Sequence, residues 1–138
     1  MFTPDFKNRM PGALSLAKNC NEATHEGTFI DTKPYLTPCR ACVVVGEPTG
    51  SPDAGWEVVV TIRENDTQDS SGDTQLLDID EVDGAGVDSL TITEAGVYFL
   101  TIENALRYVA GSAAPNFTNG SSPAAPVTIF FFGEVQVF

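Results

Sequence analysis

A chain of 138 residues, 42% of them hydrophobic and 19% charged, is the size of one domain and can bury a core without disulfide or metal staples. Nineteen acids against seven bases leave a net charge of −12, which repels phosphate backbones and argues against direct nucleic-acid binding. No apolar run nears the ~20 residues that cross a bilayer, and residues 1–7 lack the basic-then-apolar pattern of a secretory signal.

Residues 1–40 differ from the rest of the chain. Lys7, Arg9, Lys18, Lys33 and Arg40 outweigh Asp5, Glu22, Glu26 and Asp31 to give this segment a net charge of +1, whereas residues 41–138 carry −13. The segment also holds Pro4, Pro11, Pro34 and Pro38 and little apolar alternation. It reads as an extended arm, with one turn of helix or a first strand around Gly12 to Lys18, ordered by what it lies against.

From Ala41 onward the pattern is β. Ala41 to Val45 is a β-branched run closed by Gly46, and residues 47–55 are a Pro/Gly/Ser loop. Trp56, Val58, Val60 and Ile62 fall on one face at period two. A polar loop over 64–74 precedes Leu77 and Ile79, which alternate with Asp78 and Asp80, and Leu90 and Ile92 alternate with Thr91 and Thr93. Glu94-Ala95-Gly96 is a tight turn into Val97 to Ile102, and Glu103-Asn104-Ala105 a second turn into Leu106 to Ala110. Residues 111–126 read as a long loop, and the chain ends in a strand from Val127 to Phe138. Seven or eight short strands at this spacing predict an all-β sandwich or barrel over residues 41–138. Phe130, Phe131 and Phe132 cannot all face one core, because neighbours in a strand point to opposite sides. Either both faces are covered there or one ring, Phe131, lies on a partner surface. Phe138, at the end of a strand with no polar tail, is a second candidate contact.

Chemistry is sparse. Cys20, His25, Cys39 and Cys42 form the one set of residues able to close a tetrahedral zinc site, but the spacing is unusual and no glycine knuckle follows Cys42. The favoured reading of Cys42 is a small buried hydrophobe. A disulfide from Cys20 to Cys39 or Cys42 would require oxidising surroundings. Asp78, Asp80 and Asp83 are acidic like a calcium loop, yet Val82 stands where the fifth ligand belongs, which favours a solvated acidic edge. With His25 the sole histidine and no nucleophile elbow or phosphate-binding glycine loop, the sequence points away from an enzyme and calls for no cofactor. The triplets at Asn65, Asn116 and Asn119 are incidental without a secretory signal.

Asp88-Ser89-Leu90-Thr91-Ile92-Thr93-Glu94-Ala95-Gly96-Val97-Tyr98-Phe99, followed by Leu106-Arg107-Tyr108-Val109, resembles the small capsid decoration (cement) proteins of tailed bacteriophages. The strand Trp56 to Arg63 and its Ser/Asp/Gly-rich loop are similar too, although Glu64-Asn65-Asp66-Thr67 replaces the family's usual Ser-Asp-Asp-Gly. The resemblance implies a jelly-roll-like antiparallel sandwich that binds the major capsid protein on the outer surface of a virion assembled in the host cytoplasm, often as a trimer. The neutral-to-basic arm is expected to lie across coat subunits, docking through Phe2, Phe6, Lys7, Arg9, Lys18, Lys33 and Arg40. The alternatives are another virion component (head fibre, neck or tail protein), a glycan-binding adhesin using loops 47–55 and 111–126, or a cellular sandwich module.

Overall fold

A computed structural model of the chain describes residues 12–35, 39–65, 75–76, 89–102 and 107–133. All regular elements among them are strands: β1 (Gly12–Cys20), β2 (His25–Glu26), β3 (Ile30–Asp31), β4 (Cys39–Val45), β5 (Glu57–Asn65), β6 (Gln75–Leu76), β7 (Leu90–Ile92), β8 (Gly96–Ile102), β9 (Tyr108–Asn116) and β10 (Ala125–Phe132). The strand expected around Leu77 and Ile79, the Asp78–Asp80–Asp83 cluster, the turn at 103–105 and the chain end at Phe138 lie outside the described residues.

The protein is an antiparallel β-sandwich. One sheet runs β1-β10-β4-β8; the other runs β2-β9-β5-β6, with β3 also on β9 and β7 also on β5. One set of the pairings is nested, while β10–β4 and β5–β9 join its members into sheets. The first strand pairs with the last, β2 and β3 pair with β9, β4 with β8, and β5 with β7.

Period two builds the core, as the sequence predicts for β5: Val58, Val60 and Ile62 are fully buried. Val109 and Ala113 join them from β9, and Ile92 from β7. The facing sheet contributes Ala41, Val43 and Val45 from β4, Ile129 and Phe131 from β10, and Leu100 and Ile102 from β8. Side chains from two inner faces interdigitating in this way are the usual sandwich core.

Two expectations are corrected. Residues 12–35 and 39–40 are part of the sandwich, so the boundary at 40 falls inside β4. Gly12 to Lys18 takes the strand alternative: β1 pairs with β10 from Gly12↔Phe132 to Cys20↔Ala125. Leu16, Cys20 and Phe29 go into the interior, and burying them is what holds this segment down. Alternation along β1 is broken by a bulge between Leu14 and Leu16. The residue in the bulge, Ser15, is buried; its hydroxyl donates to the Thr28 carbonyl at 2.8 Å and accepts the Gly111 N–H at 3.0 Å. One hydroxyl thus ties β1 to both the following segment and the other sheet.

The second correction is the expected loop at 111–126, whose first six residues are strand. β9 stays paired with β5 from Tyr108↔Asn65 to Asn116↔Glu57. Gly111 is there for space: a Cβ at this position would meet Ile129 Cγ2 at 2.6 Å. Pro115 is accommodated because β2 covers β9 only at Ala113 and Ser112, leaving the proline's missing N–H on an open edge.

Candidate packing face

The outer face of the β1-β10-β4-β8 sheet is the most unusual surface of the molecule. Register places its side chains in three rows of four, with Asn19 and Pro126 as a further pair beyond them on β1 and β10. Leu14, Phe130, Cys42 and Phe99 form the middle row. Ala17, Thr128, Val44 and Val97 form the row on one side, and Gly12, Phe132, Arg40 and Thr101 the row on the other. Leu14 is 56% exposed, Val97 57% and Phe99 55%, while Val44 is also exposed and Phe130 and Phe132 are half-buried. The three phenylalanines form a continuous aromatic cluster. Phe132 sits edge-on to Phe99 with centroids 6.4 Å apart, and its centroid is 6.0 Å from that of Phe130.

Among these row positions Arg40 is the one charged side chain, and no carboxylate is present. In a chain of net charge −12 that is a sharp local departure. Acids instead stand at the end of the sheet away from Arg40: Glu47 follows β4 and Glu94 precedes β8, both exposed. The outer face of the opposite sheet is polar by comparison. There Arg63 pairs with Glu26 at 3.1 Å, and the Thr61 and Ser112 hydroxyls bond each other.

Phe131, expected as a partner contact, is fully buried. Its register partner Ala41 lies on the inner face of β4, so period two turns Phe130 and Phe132 outward instead. Phe2, Phe6, Lys7, Arg9 and Phe138 lie outside the described residues. Lys18, Lys33 and Arg40 are exposed but not assembled into one site. Lys18 is on β1 opposite Val127, Lys33 in the turn after β3, and Arg40 on β4 opposite Phe132.

The zinc set is not brought together. Cys39 and Cys42, three residues apart in one strand, point to opposite faces, Cys39 into the core and Cys42 between Phe130 and Phe99. Cys20 pairs with Ala125 at one end of β10, whereas Cys39 adjoins the Phe132 end, roughly 24 Å away along the strand. His25 lies in the other sheet, its Nε2 3.0 Å from Asn21 Oδ1. The same separations rule out the Cys20–Cys39 and Cys20–Cys42 disulfides. All three thiols are free and buried, and burial pushes each pKa up, that of Cys39 to about 11.

At the end of the sandwich where Glu47 lies, the loops over 46–56 and 117–124 lock onto each other. Asn119 Nδ2 donates to Asp53 Oδ2 at 2.6 Å, and the Ser121 N–H donates to the Gly50 carbonyl at 2.8 Å. Gly50 has φ of +81° and backs directly onto the Ser121 carbonyl, where no side chain fits. Glu22 fastens the second loop by accepting the Phe117 N–H at 2.7 Å. These bonds make the pair of loops a structural clasp.

Comparison of the chain with protein-family models, with curated proteins and with solved structures finds no match. What the protein does has to be argued from its own surfaces.

Proposed function

We propose that the protein is a structural component of a bacteriophage virion, a decoration protein that binds the major capsid protein on the outside of the head and stabilises the shell. The observation that carries the proposal is the aromatic face of the β1-β10-β4-β8 sheet, with no carboxylate among its described row positions, on an otherwise strongly acidic molecule. Such a face works by packing against protein, because it offers apolar area and little polar chemistry. Two further features support the reading. The nested pairing from β1–β10 inward to β5–β7 is the arrangement of a rolled-up hairpin, as in a jelly roll. The acidic remainder would face solvent and keep a densely decorated shell soluble. Many weak contacts repeated over a lattice give stable attachment through avidity, and binding to assembled shells alone stabilises them by mass action.

The experiment mixes purified protein with heads that lack it. Saturable uptake at a fixed copy number per coat hexamer, reduced at least tenfold by Phe99→Asp, is expected. No uptake, a few copies at a single vertex, or uptake indifferent to Phe99→Asp refutes the proposal. Phe99 is more than half exposed, so the variant keeps the fold and the comparison tests the surface.

A further inference from the structure

We infer that Asn119-Gly120 is a site of spontaneous deamidation, and that the reaction switches the clasp between the loops over 46–56 and 117–124 from closed to open. The site lies apart from the aromatic face and does not depend on what that face binds.

The clasp itself requires the reactive pair. At position 120 a Cβ would come to 2.8 Å from the Gly50 carbonyl oxygen and 3.1 Å from Pro52 Cα, with φ at +97°, so the position takes glycine. Position 119 is also left-handed, with φ of +59°, a conformation that asparagine adopts more readily than most residues. Its side chain must supply a donor, because Asn119 Nδ2 lies 2.6 Å from the Asp53 carboxylate oxygen Oδ2. These demands converge on Asn-Gly, a pair that occurs once in the chain. Glycine has no side chain to shield its own nitrogen from the preceding amide group, which makes this the asparagine least protected from attack.

The nucleophile is accessible. Both residues are exposed, and the Gly120 N–H has no acceptor among the described residues. The next amide, of Ser121, is by contrast held on the Gly50 carbonyl at 2.8 Å. The Gly120 nitrogen attacks Asn119 Cγ. As the N–Cγ bond forms, the Cγ–Nδ2 bond breaks, and Nδ2 leaves as ammonia with the proton that the Gly120 nitrogen gives up. Water then opens the cyclic imide. Addition at Cγ leaves aspartate; addition at the backbone carbonyl leaves isoaspartate, with an added carbon in the main chain.

Either product undoes the closure. Aspartate puts a carboxylate where the N–H donor stood, facing that of Asp53, and like charges a hydrogen bond's length apart repel. Isoaspartate removes the donor too, and lengthens a turn already packed backbone against backbone at Gly120. The bonds that flank the pair are Asp53 N–H to the Thr118 carbonyl and Ser121 N–H to the Gly50 carbonyl, both 2.8 Å. They part with it. The sandwich beneath keeps its own ladders, so the opening is local.

Peptide mapping by mass spectrometry of the purified chain, incubated at pH 8.5 and 37 °C, tests the reaction. Asn119 should show the mass gain of amide-to-acid conversion, with isoaspartate in the product, well before Asn116, which is exposed but precedes Phe117. Amide hydrogen exchange tests the consequence. In Asn119→Asp the Ser121 and Asp53 N–H groups should exchange about tenfold faster than in the unmodified chain, with β5 and β9 unchanged. Asp53→Asn/Asn119→Asp moves the donor to the other loop and should restore protection. An Asn119 that converts no faster than Asn116 overturns the deamidation site. Unchanged protection in Asn119→Asp, or a double variant no better protected than the single, overturns the switch.

Discussion

Gly111→Ala tests whether the second half of β9 is held in place by close packing. A methyl at this position comes to 2.6 Å from Ile129 Cγ2 and 2.9 Å from Ile129 Cδ1. Ile129 is fully buried in the strand at the centre of the facing sheet, so it has little room to withdraw. Overpacking of this kind costs about 1–3 kcal/mol. Loss of glycine entropy in the unfolded chain offsets roughly 0.5 kcal/mol of that, leaving a net destabilisation of about 1–2 kcal/mol. Ile129→Ala removes both clashing atoms, at a cost of about 2–5 kcal/mol on its own. In the double variant the new methyl occupies space that the isoleucine vacated. The double should therefore be less destabilised than the sum of the singles by at least ~1 kcal/mol. Urea unfolding of the four proteins, followed by the fluorescence of Trp56, measures the cycle. Additivity within about 0.5 kcal/mol would refute the claim that Gly111 is a glycine because of Ile129.

Two further outcomes are expected. Phe131→Ala should cost about 3–5 kcal/mol in the same assay and Phe130→Ala less than ~1.5 kcal/mol, because only the first ring is wholly buried; equal losses would contradict the alternation along β10. The three thiols should be silent to a thiol-titrating reagent at pH 8 and appear together on unfolding, and one equivalent reacting with native protein would show that a site is open. The pH dependence follows from the same burial. Folding raises the Cys39 pKa from 9.0 to about 11, so the native state holds its proton more tightly than the unfolded state does. That contribution is complete below pH ~9 and is lost as pH rises toward ~11, worth about 2–3 kcal/mol at most. The stability difference between wild type and Cys39→Ala should change across that window and stay flat below it.

The elements legible in the sequence are those whose side chains are large and regularly spaced. Val58, Val60 and Ile62 announce the inner face of β5, and Leu100 with Ile102 that of β8. β1 is hidden for two reasons: the Ser15 bulge shifts its alternation by one residue, and its edge position leaves Ala17, Lys18 and Asn19 exposed in succession. β9 is hidden because Gly111, Ser112, Ala113 and Ala114 are all small, and at the inward-facing Gly111 that smallness reflects how closely Ile129 of the facing sheet approaches. For the three phenylalanines, alternation predicts that they divide between two faces. Which ring goes inward depends on the register of β10 against β4, Phe131 against Ala41 and Phe130 against Cys42, a non-local pairing that no short window of sequence contains. The packing face is hidden for the same reason, since Leu14, Phe99 and Phe130 come from three strands far apart in the chain.

The acidic composition and the aromatic face are two halves of one arrangement. A sandwich sheet with Leu14, Val97 and Phe99 more than half exposed invites indiscriminate sticking. Charge on the remaining surfaces limits that without weakening the face, because repulsion between molecules of −12 acts at a range of about 8 Å in physiological salt and in nearly all orientations. Apolar packing acts only at contact. A partner that matches the face gains the short-range term, and one that does not is held off by the long-range term. Neutralising several of the exposed acids outside the rows should therefore increase non-specific association more than it strengthens binding through the Phe99 row, and Arg40, the one charge among the described row positions, is left to set direction.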